Sequence, residues 1–330
     1  TARQFPIKRF FMWTWRSALR ALPVCVALCL VWELTSIRWL QMPVMFVSVL
    51  ATAVSFYLGF KGNSAYDRLW EARKIWGGIV NTSRTWAIHV VGFVAVDHPD
   101  AERLRRELVY RHIAWLAALR IQLRRPKPWE HNQPLNDEAR ERWGTLDTSD
   151  ERLADLVERF LGAEETAWLM QQGNKASQLL RRQSEQLRQL HRDGHIDNFR
   201  HMELARLLET LFTHQGKAER IKNFPLPRQY ATGANLFVAL FIQTVPFAMV
   251  PLCAELGPHL LWLALPASMT ISWVFSTWDV IVDYTENPFE GLISDIPMTS
   301  MSRGIEIDIR QMLDETELPK PIPAMDHVVM

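Results

Sequence analysis

The sequence predicts an all-α membrane protein in which four spanning helices run on into a helical cytoplasmic block. Three observations carry this reading. Four runs of roughly 20 mostly uncharged residues occur, the length that crosses the hydrocarbon core of a bilayer. Lys and Arg gather at one side of those runs. The charged remainder shows helical rather than alternating periodicity. With 37 Lys and Arg against 36 Asp and Glu, net charge +1, there is no basic footprint for nucleic acid.

The opening, TARQFPIKRFFMW, lacks the small-residue cleavage site of a secretory signal peptide. The first span is expected at 21–40, where Glu33 and Arg38 lie near one end and can snorkel to the interface. The second, 42–60, is free of charge, as is the third, 230–254; the fourth, 256–278, contains only His259. Lys8, Arg9, Arg16 and Arg20 precede span one, Lys61, Arg68, Arg73 and Lys74 follow span two, and Lys217, Arg220, Lys222 and Arg228 precede span three. The opposite loops hold only Arg38. This asymmetry puts both termini and the long middle of a multi-pass protein in the cytoplasm. The chain thus divides into 1–60 with spans one and two, a helical cytoplasmic domain at 61–229, spans three and four at 230–282, and a C-terminal cytoplasmic segment at 283–330.

In the middle block, Leu104, Leu108, Ile113, Leu116 and Leu119 follow a helical spacing from Asp100 onward, and Pro126 and Pro128 end that helix. Further helices are expected at 149–161, 164–190 and 198–212, with Gly144, QQGN and RDGH as breaks. The final ELPKPIPAMDHVVM reads as an extended, Pro-rich tail.

Catalytic motifs are missing: no GxxxxGK[ST], HExxH or GxSxG pattern occurs, and the chain is not expected to be an enzyme. His191, Asp193, His195, Asp197 and His201 crowd together, and two of the histidines are four apart, but Gly194 falls between them. They read as a solvated loop followed by a helix cap at Asp197 or Asn198, not a metal site. Cys25, Cys29 and Cys253 lie in apolar runs and read as buried, unligated thiols. Asp67, Arg68, Glu71 and Arg73 read as interhelical or intersubunit ion pairs where a helix leaves lipid. Pro246, Pro251 and Pro266 imply bends whose freed backbone groups neighbouring helices satisfy. No acid or base sits mid-span, which argues against a proton-coupled pump and is compatible with a passive pore.

Three blocks carry a family resemblance: LGFKGNSAYDRLWEARKIWGG from Leu58, QGKAERIKNFPLPRQY from Gln215, and NPFEGLISDIPMTSMSRGIEIDIRQML from Asn287. With their order around the four spans, the chain resembles the bestrophin family in its bacterial branch over residues 5–315. The resemblance implies a homopentameric ion channel with one central pore, self-association in a lipid bilayer, and small inorganic ions as the passing species. It implies a narrow neck lined by the second membrane helix, at Thr52, Phe56 and Phe60, whose i, i+4, i+8 spacing places them on one stripe. It also implies a cytoplasmic aperture at Phe199, with Met202 beside it on the face opposite Leu204, Leu207, Leu208 and Leu211. Ala51, Ala53, Ser55, Gly59 and Gly62 are small enough for helices to pack closely.

Animal members carry a calcium clasp in an acidic run after Asn-Pro-Phe; here Asn287, Pro288 and Phe289 are followed by only Glu290 and Asp295 as acids. Ca²⁺ takes six to eight oxygen ligands, so no such clasp and no other cofactor is expected. The two neck Phe rings resemble the animal, anion-conducting pattern, whereas the overall match is to bacterial relatives that conduct cations. An aromatic edge is partly positive and can face an anion, which favours chloride slightly over a monovalent-cation channel of the same fold. A non-conducting membrane scaffold is the alternative from another class.

Overall fold

The computed structural model describes residues 7–95, 98–292 and 295–324. Residues 1–6, Ile293 and Ser294 of the third resemblance block, and 325–330 of the tail lie outside the described residues, as do the side chains of Arg9 and Arg228 from the basic flanks. Every element among the described residues is a helix: α1 (Ile7–Ala18), a 3₁₀ turn at Leu19–Ala21, α2 (Leu22–Leu34), α3 (Val44–Phe93), α4 (Ala101–Arg124), α5 (Pro134–Arg142), α6 (Asp150–Met170), α7 (Lys175–Arg192), α8 (Asn198–Asn223), α9 (Arg228–Glu255), a 3₁₀ segment at Pro258–Leu263, α10 (Ala264–Glu286) and α11 (Met298–Gln311). Four helical segments are long and apolar enough to cross a membrane: Phe10–Leu34, Val44–Phe93, Gln229–Glu255 and His259–Glu286.

The chain forms two compact units. Among the described residues, the apolar unit falls within Ala2–Asp67 and Pro225–Glu286, and the polar unit within Arg68–Phe224 and Asn287–Met330. α3 contributes its first part to one and its remainder to the other. At 50 residues and a rise of 1.5 Å each it is about 75 Å long, more than twice the roughly 30 Å apolar core of a bilayer. Its change from apolar to charged sequence after Phe60 is the composition such a helix needs.

In the apolar unit, Val47, Val54 and Leu58 of α3 cluster with Ala234, Val238, Phe241, Ile242 and Val245 of α9. α10 presents Ser268, Ser272 and Ser276, all fully buried and four apart, so that α1 and α2 pack against it. Ser272 donates to the Ser17 carbonyl (3.1 Å), and Trp273 Nε1 donates to Thr14 Oγ1 (2.9 Å). Pro246 and Pro251 lie inside the continuous α9. Pro251 cannot donate to the Phe247 carbonyl one turn back; the Met42 N–H does so at 3.0 Å. All three cysteines are free and buried.

The first span departs from expectation. It ends at Leu34 rather than at residue 40, and helix extends back through α1. Thr35 leaves the helical region at φ −130°, ψ 167°. Its hydroxyl donates to the Val31 carbonyl (2.6 Å) and accepts from the Ile37 N–H (3.2 Å), which closes the helix in a side-chain turn. Arg38 then stacks 4.7 Å from the Trp32 ring. The residues taken as the end of a span are therefore a capped turn.

The polar unit is built around α4, whose residues from His112 to Leu119 are all buried. It packs on α6, α7, α8 and α11. Gly144, an expected break, has φ 63°, and Gly162, between the expected helices 149–161 and 164–190, has φ 77°, both values that suit glycine. The expected 164–190 helix is interrupted at QQGN: α6 ends at Met170, and Asn174 caps α7 by accepting from the Ser177 N–H (2.9 Å). Asp197 caps α8, accepting from the Arg200 N–H (3.0 Å), and α8 runs eleven residues beyond the expected end at 212, to Asn223. α5 was not anticipated. It has no apolar stripe, and its anchor is Arg140, 5 % exposed, which donates to the Glu290 carbonyl at 3.0 Å.

Candidate functional site

Thr52, Phe56 and Phe60 lie on one stripe of α3, and each is exposed, the two Phe at 67 %. They border an open groove of about 580 Å³ shared with Ser55, Gly59 and Asn63. Hydroxyl, aromatic and amide groups alternate along this face, a pattern that a surface meeting only lipid tails disfavours. Thr52 donates to the Ser48 carbonyl (2.9 Å) and Ser55 to the Ala51 carbonyl (2.8 Å). Their hydroxyl protons are thus held within the helix, and the oxygen lone pairs remain for the groove.

The rotation of α3 that points this stripe outward is fixed from behind. One residue beyond Phe60, Lys61 turns to the opposite face and is 1 % exposed. Its ammonium lies 3.2 Å from Asp279 and 3.9 Å from Asp283, one turn apart on α10. Next to it, Gly62 lets α10 come close: a Cβ there would stand 3.3 Å from Val282 and 3.6 Å from Trp278. The sequence reading counted Lys61 only among the basic residues that follow span two; the structure buries it between two carboxylate partners. The signal available was a pair of acids four apart at the end of span four, facing one lysine at the end of span two. Of the small residues expected to be packed, Gly62 is covered within the protomer. Ala53 and Ser55 are exposed, and among the described residues nothing lies within 4 Å of a Cβ at Gly59.

Phe199 and Met202 belong to the polar unit, on the first two turns of α8, at 81 % and 47 % exposed. Leu204, Leu208 and Leu211 are buried on the opposite side. Beside Phe199, the Arg200 N–H bond holds the Asp197 carboxyl below the usual carboxylate range. The rings of His191 and His201 stack at 5.1 Å, His191 Nδ1 meets the Ile196 carbonyl at 3.1 Å, and burial keeps His201 below its ordinary pKa. Among the described residues no three potential metal ligands come together. Glu71 pairs with Arg220 at 2.6 Å, while Arg68 donates to the carbonyls of Ile221 and Phe224.

The acids after Asn-Pro-Phe are already engaged. The Asp295 carboxylate accepts the backbone N–H groups of Phe289, Gly291 and Ile296 at 2.6–2.7 Å. Glu290 meets His131 at 3.0 Å and Arg140 at 3.6 Å. Glu130 and Lys222, both buried, form a direct pair. Burial pushes the carboxyl up and the ammonium down, each opposed by its partner's charge.

A family model described as Bacterial/Fungal Bestrophin protein matches residues 14–311. The chain belongs to the bestrophin family. Membership makes it a membrane channel rather than an enzyme. The voltage-dependent anion channel-forming protein YneE of Escherichia coli K12 is 28 % identical over 275 residues, 83 % of this bestrophin and 78 % of the relative. The voltage-dependent anion channel-forming protein RSc3414 of Ralstonia nicotianae is 28 % identical over 271 residues, 82 % and 78 % of the two chains. Among solved structures, a bacterial bestrophin homolog from Klebsiella pneumoniae superposes with a TM-score of 0.73 at 22 % identity, covering 94 % of this chain and 99 % of that one. At that identity the likeness speaks for the fold.

Proposed function

We propose that this bestrophin is a passive anion channel, with chloride favoured, assembled as a homopentamer in a bacterial inner membrane with both termini cytoplasmic. Five copies of α3 surround the pore; Thr52, Phe56 and Phe60 form its neck, and Phe199, with Met202 beside it, forms the cytoplasmic aperture. The carrying observation is the exposed stripe of α3, two aromatic rings interleaved with hydroxyl and amide groups and held outward by the buried Lys61 contact. Aromatic edges offer partial positive charge to an anion, and a ring of Phe can gate by dewetting. The relatives named as anion channel-forming proteins support the same ion class. No calcium clasp operates in this reading, because Glu290 and Asp295 are taken by the protein's own donors.

One observation favours monovalent cations instead: the Thr52 hydroxyl spends its proton on Ser48 and leaves lone pairs for the groove. Recording the reversal potential of purified protein in planar bilayers under asymmetric KCl separates the two. Reversal near the chloride potential is expected, and reversal near the potassium potential would replace the anion assignment with the cation one. Phe60→Ala should raise single-channel conductance severalfold by removing an apolar ring; unchanged conductance in both Phe56→Ala and Phe60→Ala would remove these residues from the neck. Silence from well-assembled parent protein would favour a membrane scaffold.

A further inference from the structure

Within the polar unit, α4, α6 and α11, with Ile322 of the C-terminal segment, line a partly open cavity of about 50 Å³ whose wall is part apolar and part charged. Three arginines line it, Arg120 from α4, Arg159 from α6 and Arg303 from α11, against one carboxylate, Glu306. Glu306 is 5 % exposed and divides itself among Arg159 (3.4 Å), Arg303 (3.5 Å) and Arg310 (3.5 Å). Each contact is at the long end of a charged hydrogen bond, so one acid does not neutralise this wall.

Several donors here have no acceptor among the described residues. Arg120 makes no hydrogen bond or ion pair among the described residues, and its Nε is buried. The Ser302 hydroxyl, also on the cavity wall, is buried without a partner. Arg124, 5 % exposed, donates Nη1 to Thr299 Oγ1 at 2.8 Å, while its Nε and Nη2 are unpartnered. Thr299 and Ser302 sit at the start of α11, which follows Pro297 with no side-chain cap and no acid in its first turn. A helix start carries partial positive charge and free N–H groups. Burial and the nearby charges of Arg124, Arg152 and Arg303 lower the Arg120 guanidinium from 12.5 to about 9. A guanidinium nevertheless stays protonated at neutral pH, so the positive charge persists in the fold.

Leaving buried charged donors unsatisfied is costly, and uncapped helix start, hydroxyl and guanidinium groups share one ligand chemistry. We infer that this cavity is a binding site for a small oxyanion of the phosphate or sulfate class, held by Arg120 and Ser302 with Arg159 and Arg303 at its rim. Guanidinium forks match the oxygen edges of such anions better than a monatomic halide. A buried water needs about 10–15 Å³, so this volume admits one compact oxyanion and excludes a nucleotide. The site lies apart from the proposed pore stripe in sequence and in kind, and binding would tie α4, α6 and α11 together.

The test is calorimetric titration of the purified full-length protein with inorganic phosphate and with sulfate, at constant ionic strength set by chloride. Saturable one-site binding is expected per chain. Arg120→Gln should weaken it about tenfold or more, the factor carried by one charge-assisted hydrogen bond. Ser302→Ala, too small a change to unfold the protein, should weaken it severalfold and serves if Arg120→Gln does not fold. No saturable binding by the parent, phosphate affinity unchanged in Ser302→Ala, or equal binding of chloride would each overturn the assignment. Because the readout is binding and not current, its failure is separable from failure of the channel reading.

Discussion

Replacing Lys61 by Met probes the buried contact that orients the pore helix. At an effective dielectric near 20 the 3.2 Å Lys61–Asp279 separation corresponds to about 5 kcal/mol of Coulomb attraction. The second contact, at 3.9 Å with an Asp283 side chain 39 % exposed, is weakened by solvent. Desolvating Lys61 and Asp279 costs several kcal/mol per ion, so the intact pair is close to neutral in net stability. Removing one member is different: Lys61→Met leaves the Asp279 carboxylate, 7 % exposed, without its cation and beside Asp283, at a cost of about 3–5 kcal/mol. The double variant Lys61→Met/Asp279→Leu should recover most of that loss. Unfolding midpoints of the four proteins of this double-mutant cycle, measured in one detergent, give the coupling directly. If Lys61→Met lies within about 1 kcal/mol of the parent, or the second substitution adds to the first, the buried-pair reasoning fails.

Two other outcomes follow from the polar unit. His112 is fully buried between Trp86 and Trp115, and burial lowers it from 6.5 to about 3. Because the folded value is the lower one, its contribution is complete above pH 6.5 and is lost as pH falls towards 3. Between pH 7.5 and 5 the linkage amounts to about 2 kcal/mol, and His112→Phe should flatten that part of the stability profile, read by thermal unfolding at the two pH values. Gly291 has φ 79° and a Thr145 hydroxyl 2.8 Å from where a Cβ would stand. Gly291→Ala should therefore cost about 2–4 kcal/mol from backbone strain plus overpacking, and an unfolding midpoint equal to the parent's would refute the strain argument.

The local alphabet was enough for helices two to four of the membrane-length set, because an uncharged run of that length has few other solutions. It was enough for the break at QQGN and for the cap at Asp197, where side chain and backbone are near neighbours in sequence. Period and composition also separated Phe199 and Met202 from the buried leucines of α8. The stripe Thr52, Phe56, Phe60 was legible as a face, while the family resemblance supplied its meaning. The end of span one was missed because Thr35 closes its helix through a hydroxyl contact, which apolarity does not report. α5 was missed because it has no apolar stripe and its buried Arg140 is held by a loop 150 residues away.

By itself the sequence determined that this chain is helical, membrane-spanning and a bestrophin, since length, apolarity and motif order are properties of the chain read in line. Only the tertiary structure decided which charges are solvated. In the sequence Lys61 and Lys222 read only as basic flanks of spans, and nothing sets Arg120 or Glu306 apart from the other charges of their helices. Folding buries Lys61 against two acids, pairs Lys222 with Glu130, makes Glu306 one carboxylate shared by several arginines, and leaves the Arg120 Nε without a hydrogen-bond partner among the described residues. The physical reason is that an ion's cost or benefit depends on its dielectric surroundings and on partners distant in sequence, and neither is written in its neighbours along the chain.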